Sequence, residues 1–127
     1  MRLGLAPAVI SPFVLEKMAW SSATEKMLTG RTFTAEEALR SGLLQFVGNE
    51  TELNQFIENT LQSLMKVGPE AVRATKNLLA EVKGKSWYEC KEATVKVIAE
   101  RRVSEEGQEG LRAFFEKRRP AWSGDQP

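Results

Sequence analysis

The apolar residues of this chain recur at changing intervals, and the interval changes at glycines and prolines. From Asn49 onward Leu53, Phe56, Ile57, Leu61, Leu64 and Met65 follow one another at three- and four-residue steps, the spacing of one face of an α-helix. Gly68 and Pro69 end that helix and start another, whose face is marked by Val72, Thr75, Leu79 and Val82 and which stops at Gly84. Ser86 and Glu89 form a capping box for a helix with Trp87, Cys90, Thr94, Val97 and Ile98 on one side and Lys91, Lys96 and Arg101 largely on the other. Ser104 to Gly107 interrupts it. A last helix carries Leu111, Phe114 and Phe115, and Pro120 stops it.

The first third of the chain is punctuated more closely. Met1 to Ile10 is apolar, has no helical period and contains Gly4 and Pro7, so it reads as an extended incoming segment. Ser11 as N-cap and Pro12 in the first helical position predict a helix through Phe13, Val14, Leu15 and Met18 to about Trp20. A second short helix through Ala23, Met27 and Leu28 ends at Gly30. Thr34 to Glu37 is a capping box whose helix Gly42 closes, and Leu43 to Val47 reads as a short strand. The predicted fold class is mainly α, with at most a few short strands.

Composition narrows the chemistry more than the fold. Of 127 residues 42% are hydrophobic, enough for the core of one ordinary domain. Eighteen basic residues against seventeen acidic ones leave a formal charge of +1, which supports neither a nucleic-acid nor a membrane-surface footprint. No stretch approaches the roughly 20 apolar residues of a membrane span, and no basic-then-apolar leader opens the chain. A cytoplasmic protein is the expectation. The sequence has one cysteine and no histidine, so Ser/His/Asp triads, Cys/His pairs and histidine-dependent metal centres have no residues to form from. The adjacent Glu36 and Glu37 suggest an acid/base pair, but capping and the helix dipole already explain carboxylates in a first turn. Cys90 on an apolar face reads as a small buried hydrophobe. No metal site is expected.

Taken in order, Arg2-Leu3-Gly4-Leu5-Ala6-Pro7, Leu28-Thr29-Gly30-Arg31, Ala35-Glu36-Glu37-Ala38, Gly42-Leu43, Gly68-Pro69 and Phe114-Phe115-Glu116-Lys117-Arg118 resemble the crotonase superfamily of enoyl-CoA hydratases and isomerases over nearly the whole chain. The stretch from Ala8 to Val14 stands where most members are glycine-rich, and it is similar to the methylglutaconyl-CoA or isohexenylglutaconyl-CoA hydratase branch. The resemblance implies a spiral of strand-strand-helix units followed by helices that pack on neighbouring subunits, in trimers or hexamers. Residues 1–48 would then be the tail end of the spiral core, 49–122 the helical oligomerisation region, and 123–127 a disordered tail.

The same resemblance implies hydration of an α,β-unsaturated coenzyme A thioester through an enolate, with the thioester as substrate and no separate cofactor. Two backbone N–H groups forming an oxyanion hole would stabilise that enolate. Both oxyanion segments belong to the family's N-terminal half, and one catalytic glutamate would fall immediately before Met1. No catalytic residue is therefore expected in this chain, which would be inactive by itself. Its expected binding residues are Phe114 and Lys117, whose family counterparts reach across a subunit boundary to the adenine and phosphates of coenzyme A. Three residues apart, they share a helix face; Arg118 or Arg119 would add to the field. Ser11, at a helix N-terminus, would either assist an anionic acyl group or simply cap. The faces around Phe56, Leu64, Leu79, Val97, Phe114 and Phe115 would form an internal core or a subunit interface. The other reading of the chain is a non-catalytic helical oligomerisation or interaction module with a coenzyme A-facing helix.

Overall fold

Side chains that take up the unpaired amides of a first turn set where most of the helices begin. The computed structural model describes residues 4–124, and among them all regular structure is helical. The helices are α1 (Ser11–Leu15), α2 (Trp20–Thr29), α3 (Ala35–Arg40), α4 (Glu50–Met65), α5 (Pro69–Val82), α6 (Trp87–Val103) and α7 (Glu105–Phe115), followed by a 3₁₀ turn at Ala121–Ser123. Residues 1–3 of the incoming segment and 125–127 of the tail lie outside the described residues. Both capping boxes form: Thr34 with Glu37 before α3, and Ser86 with Glu89 before α6. A third reciprocal pair starts α4, where the Glu52 N–H donates to Asn49 Oδ1 at 3.0 Å and the Asn49 N–H to Glu52 Oε2 at 2.8 Å.

The described residues fall into two compact units, divided between Glu58 and Asn59. In the first, Met18, Ala23, Ala38 and Ser41 are buried, and the Ala19 N–H donates to the Ser41 carbonyl at 2.9 Å. Gly42 follows α3 in the left-handed region (φ +83°), and a Cβ there would meet the Lys17 carbonyl at 3.0 Å. This is a Schellman end: the Leu43 N–H reaches back to the Ala38 carbonyl and the Gly42 N–H to that of Leu39. The predicted strand at Leu43 to Val47 is not present. The amides of Leu43 and Leu44 both close onto Ala38, so they are not offered to a ladder, and no strand pairs with them among the described residues.

Two further expectations in this unit are corrected. Ser11 does not cap α1. It is the first helical residue, and its hydroxyl donates back to the Ala8 carbonyl at 3.1 Å. Trp20 does not end that helix but opens α2, because the chain breaks over Glu16–Ala19 and α1 lasts little more than a turn.

In the second unit α5 packs on α6, α6 on α7 and α5 on α7. The contacts rest on small side chains: Cys90, Ala93 and Val97 form the covered stripe of α6, and Ala113 is the buried residue of α7. Trp87, Thr94 and Ile98, expected on that stripe, are exposed, Trp87 by 79% and Ile98 by 63%. Ala93 takes the inward position instead, since a methyl-sized side chain lets helices approach closely.

A long-range cap joins α5 to α7. Gly68, the N-cap of α5, has no side chain to offer, and the Glu106 carboxylate of α7 accepts the N–H groups of Glu70 and Ala71 at 2.9 and 2.8 Å. A carboxylate at a helix N-terminus is also favoured by the dipole. Glu106→Ala is expected to cost about 1–2 kcal/mol, read as a lowered midpoint in urea. An unchanged midpoint would show that water caps α5 equally well.

Candidate functional site

The end of α7 carries both predicted binding residues in backbone geometry that helical periodicity does not contain. Ser104 caps the helix, its Oγ accepting from the Gly107 N–H at 3.0 Å. Glu106, Glu109, Gly110 and Ala113 then turn toward the unit, at steps of three, one and three residues. Phe114 and Phe115 point outward, 76% and 77% exposed, in an edge-to-face pair with centroids 5.7 Å apart. The helix buries small residues and an acidic stripe and presents its largest apolar ones. In an isolated globular helix the burial runs the other way.

Lys117 lies beyond the helix, so it does not share a helical face with Phe114. It occupies the left-handed region (φ +54°), where among the described residues it is the one non-glycine. The Arg118 N–H bonds the Ala113 carbonyl at 3.0 Å and the Lys117 N–H that of Phe114 at 3.2 Å, the same Schellman pattern that ends α3 at Gly42. Periodicity predicts a shared helix face that the structure does not form. A C-terminal reversal takes its place, with lysine where glycine is usual.

Glu109 holds this reversal in place. Its carboxylate grips the Arg118 guanidinium with both oxygens, at 2.6 and 2.9 Å, and accepts the Ala121 N–H at 3.0 Å. The guanidinium, then the backbone N–H, lower its pKa from the ordinary 4.5 to about 2 against a modest opposing effect of burial. Arg118 also bonds Glu116. It is therefore spent on carboxylates and adds little to the field at Lys117. Arg119 instead lines a hollow with Lys66 and Trp122, which Phe114 and Lys117 do not line. Lys117 itself has no carboxylate partner among the described residues.

In the first unit Glu37 is fully engaged. It completes the Thr34 capping box and takes a two-pronged bond from Arg31, at 2.9 and 3.2 Å. That guanidinium, then the Thr34 N–H, bring its pKa to about 2. Glu25 takes the other side of Arg31. Lys26, with only 9% of its side chain exposed, bonds Ser22 Oγ at 2.8 Å and lies 5.3 Å from the Phe33 ring centre. These carboxylates serve caps and ion pairs. Cys90 is buried, its thiol directed at the Val82 carbonyl.

Glu37 and Glu109 bind protons less readily folded than unfolded. The stability they contribute is present above about pH 4.5 and is lost as pH falls from there toward about 2. Wild-type chain is expected to lose thermal stability across that window, and Glu109→Gln to lose less over it while starting from a lower value. Equal acid sensitivity in wild type and variant, followed by circular dichroism, would show that Glu109 does not link folding to pH.

Among the described residues the chain is helical throughout and ends α7 in an outward aromatic pair, and comparison identifies its family. The family model described as Enoyl-CoA hydratase/isomerase matches residues 1–125. The chain is 31% identical over 128 residues to carnitinyl-CoA dehydratase of Salmonella typhi, covering 97% of this chain and 49% of that protein. Among solved structures it resembles Pseudomonas aeruginosa AtuE (TM-score 0.85, 35% identity, 97% of this chain and 48% of that one). An enoyl-CoA hydratase from Shewanella pealeana aligns with TM-score 0.81 and 38% identity, over 95% of this chain and 45% of that one. The chain belongs to the enoyl-CoA hydratase/isomerase family and spans about half the length of the curated relatives it matches.

Proposed function

We propose that this chain is the helical C-terminal part of an acyl-CoA hydratase/isomerase, in which the end of α7 presents Phe114 and Lys117 to coenzyme A. The observation that carries the reading is the α7 terminus: an exposed aromatic ring three residues before a lysine that has no carboxylate partner among the described residues. A ring stacks on adenine, and an ammonium without a competing acid attracts phosphate. The reaction assigned is syn hydration of an α,β-unsaturated thioester through an enolate, or the related isomerisation. Its oxyanion N–H groups and glutamates are assigned to the family's N-terminal half, so the 127 residues alone do not turn over.

Leu79, Phe114 and Phe115, all more than half exposed, favour assembly of the complete enzyme through these faces in trimers or hexamers. Residues 49–122 serve that assembly. The test is calorimetric titration of coenzyme A and crotonyl-CoA into the purified chain, with a hydration assay on the same sample. Saturable binding of both without turnover supports the reading. Turnover by the chain alone would place catalytic groups within it and overturn the division of labour, and a folded chain that binds neither would remove the coenzyme A-facing role.

A further inference from the structure

The second unit carries a hollow that the coenzyme A reading does not use. Lys66 and Arg119 stand in its lining with Trp122, Met65 and Gln62, around a volume of about 650 Å³, and no carboxylate belongs to that lining among the described residues. Met65 and Trp122 also border an adjoining apolar hollow of about 400 Å³, completed by Leu64, Val67, Pro69 and Val72. Both volumes fall in the range of small-ligand sites, roughly 300–1,000 Å³. Cations at one end and hydrocarbon at the other share a single wall.

That wall is fixed from three sides. The Trp122 indole N–H donates to the Lys66 carbonyl at 3.4 Å, which also covers an acceptor at the end of α4 that would repel an anion. Gly110 leaves room for the ring: a Cβ there would meet it at 3.1 Å. Glu109 anchors the preceding residue through the Ala121 N–H and holds Arg118 beside it. Trp122 is thus placed before any ligand arrives, which lowers the ordering cost of binding.

We infer that this double hollow is a binding site for an amphipathic small anion, an alkyl carboxylate of medium chain length. Its carboxylate lies between Lys66 and Arg119, and its hydrocarbon tail crosses Met65 and Trp122 onto Leu64, Val67 and Val72. The juxtaposition selects for both halves of the ligand. A head without a tail gains only solvent-screened attraction, and a tail without a head gains no contact with either cation. Two cations at one end of an apolar strip match the charge and length of a small amphiphile. Nothing in this site depends on Phe114 or Lys117.

The experiment is calorimetric titration of decanoate, below its micellar concentration, into the full chain, with acetate and octanol as head-only and tail-only probes. In parallel, a Trp20→Phe/Trp87→Phe background leaves Trp122 as the sole indole reporter. Decanoate is expected to bind saturably and shift Trp122 emission to the blue, while acetate and octanol do neither. Lys66→Ala with Arg119→Ala weakens decanoate at least tenfold, and Lys66→Arg retains it. Decanoate affinity unchanged in the double alanine variant would overturn the proposal, as would absence of saturable binding by a chain whose circular dichroism is helical. Concentration-dependent self-association removed by Trp122→Ala, without decanoate uptake, would assign the face to a second copy and overturn it equally.

Discussion

Gly107→Ala is expected to be among the most damaging single-methyl changes in the chain, lowering stability by about 3 kcal/mol and the melting midpoint by roughly 10 °C. Gly107 sits in the first turn of α7, and a Cβ built on it falls against the Arg101 backbone carbonyl of α6. A flexible side chain would move aside. A carbonyl that already accepts from the Ser104 hydroxyl at 2.8 Å in a junction shared by two helices does not. Relief requires α7 to swing away from α6, and that motion strips Glu106 from the α5 amides and Ala113 from its contacts. The methyl therefore costs more than its own clash. Thermal denaturation followed by circular dichroism measures it, and a midpoint within about 2 °C of wild type would show that the α6–α7 junction gives without loss.

At the other end of α7, Lys117→Ala is expected to weaken coenzyme A at least about tenfold while leaving the helical signal intact, because a charge-assisted contact to phosphate contributes about 1.5–3 kcal/mol. Alanine alone leaves an ambiguity, since position 117 is also a left-handed backbone site (φ +54°). Lys117→Gly separates the two roles. Glycine adopts that conformation without the roughly 1 kcal/mol penalty of a side-chain-bearing residue, so this variant should be as stable as wild type or more so, yet equally weakened toward coenzyme A. A glycine variant that binds as tightly as wild type would show that the reversal matters and the ammonium does not. The charge and the conformation are thus testable independently at one position.

The outward Phe114 and Phe115 bear on how such a helix evolves its surface. Burying small residues inward lets α5, α6 and α7 approach closely, and it leaves the bulky ones exposed. The same logic applies to α4, where the regular apolar stripe predicted from Leu53 to Met65 exists as a helix face but remains substantially exposed, Met65 by 56%. Amphipathic pattern marks a face that is to be covered. It does not say by what.

What the amino-acid order determined alone is the set of helices and most of their ends. Asn49, Thr34, Ser86 and Ser104 act within three residues of themselves, as do the left-handed turns at Gly30 and Gly42, and interactions that local survive any packing. The motif series was equally legible, since it names residues rather than contacts. Tertiary structure alone decided the rest. The Glu106 cap joins amides 35 and 36 residues away, so no local window contains both partners. Leu43 to Val47 has the composition of a strand but no partner, and a strand is a property of a pair. Lys117 reverses the chain because Glu109 holds Arg118 and Ala121 beyond it, nine and twelve residues away. Which of two apolar faces turns inward at Cys90, Ala93 and Ala113 was fixed by how closely neighbouring helices approach, a distance that side-chain volume sets only once the helices have met.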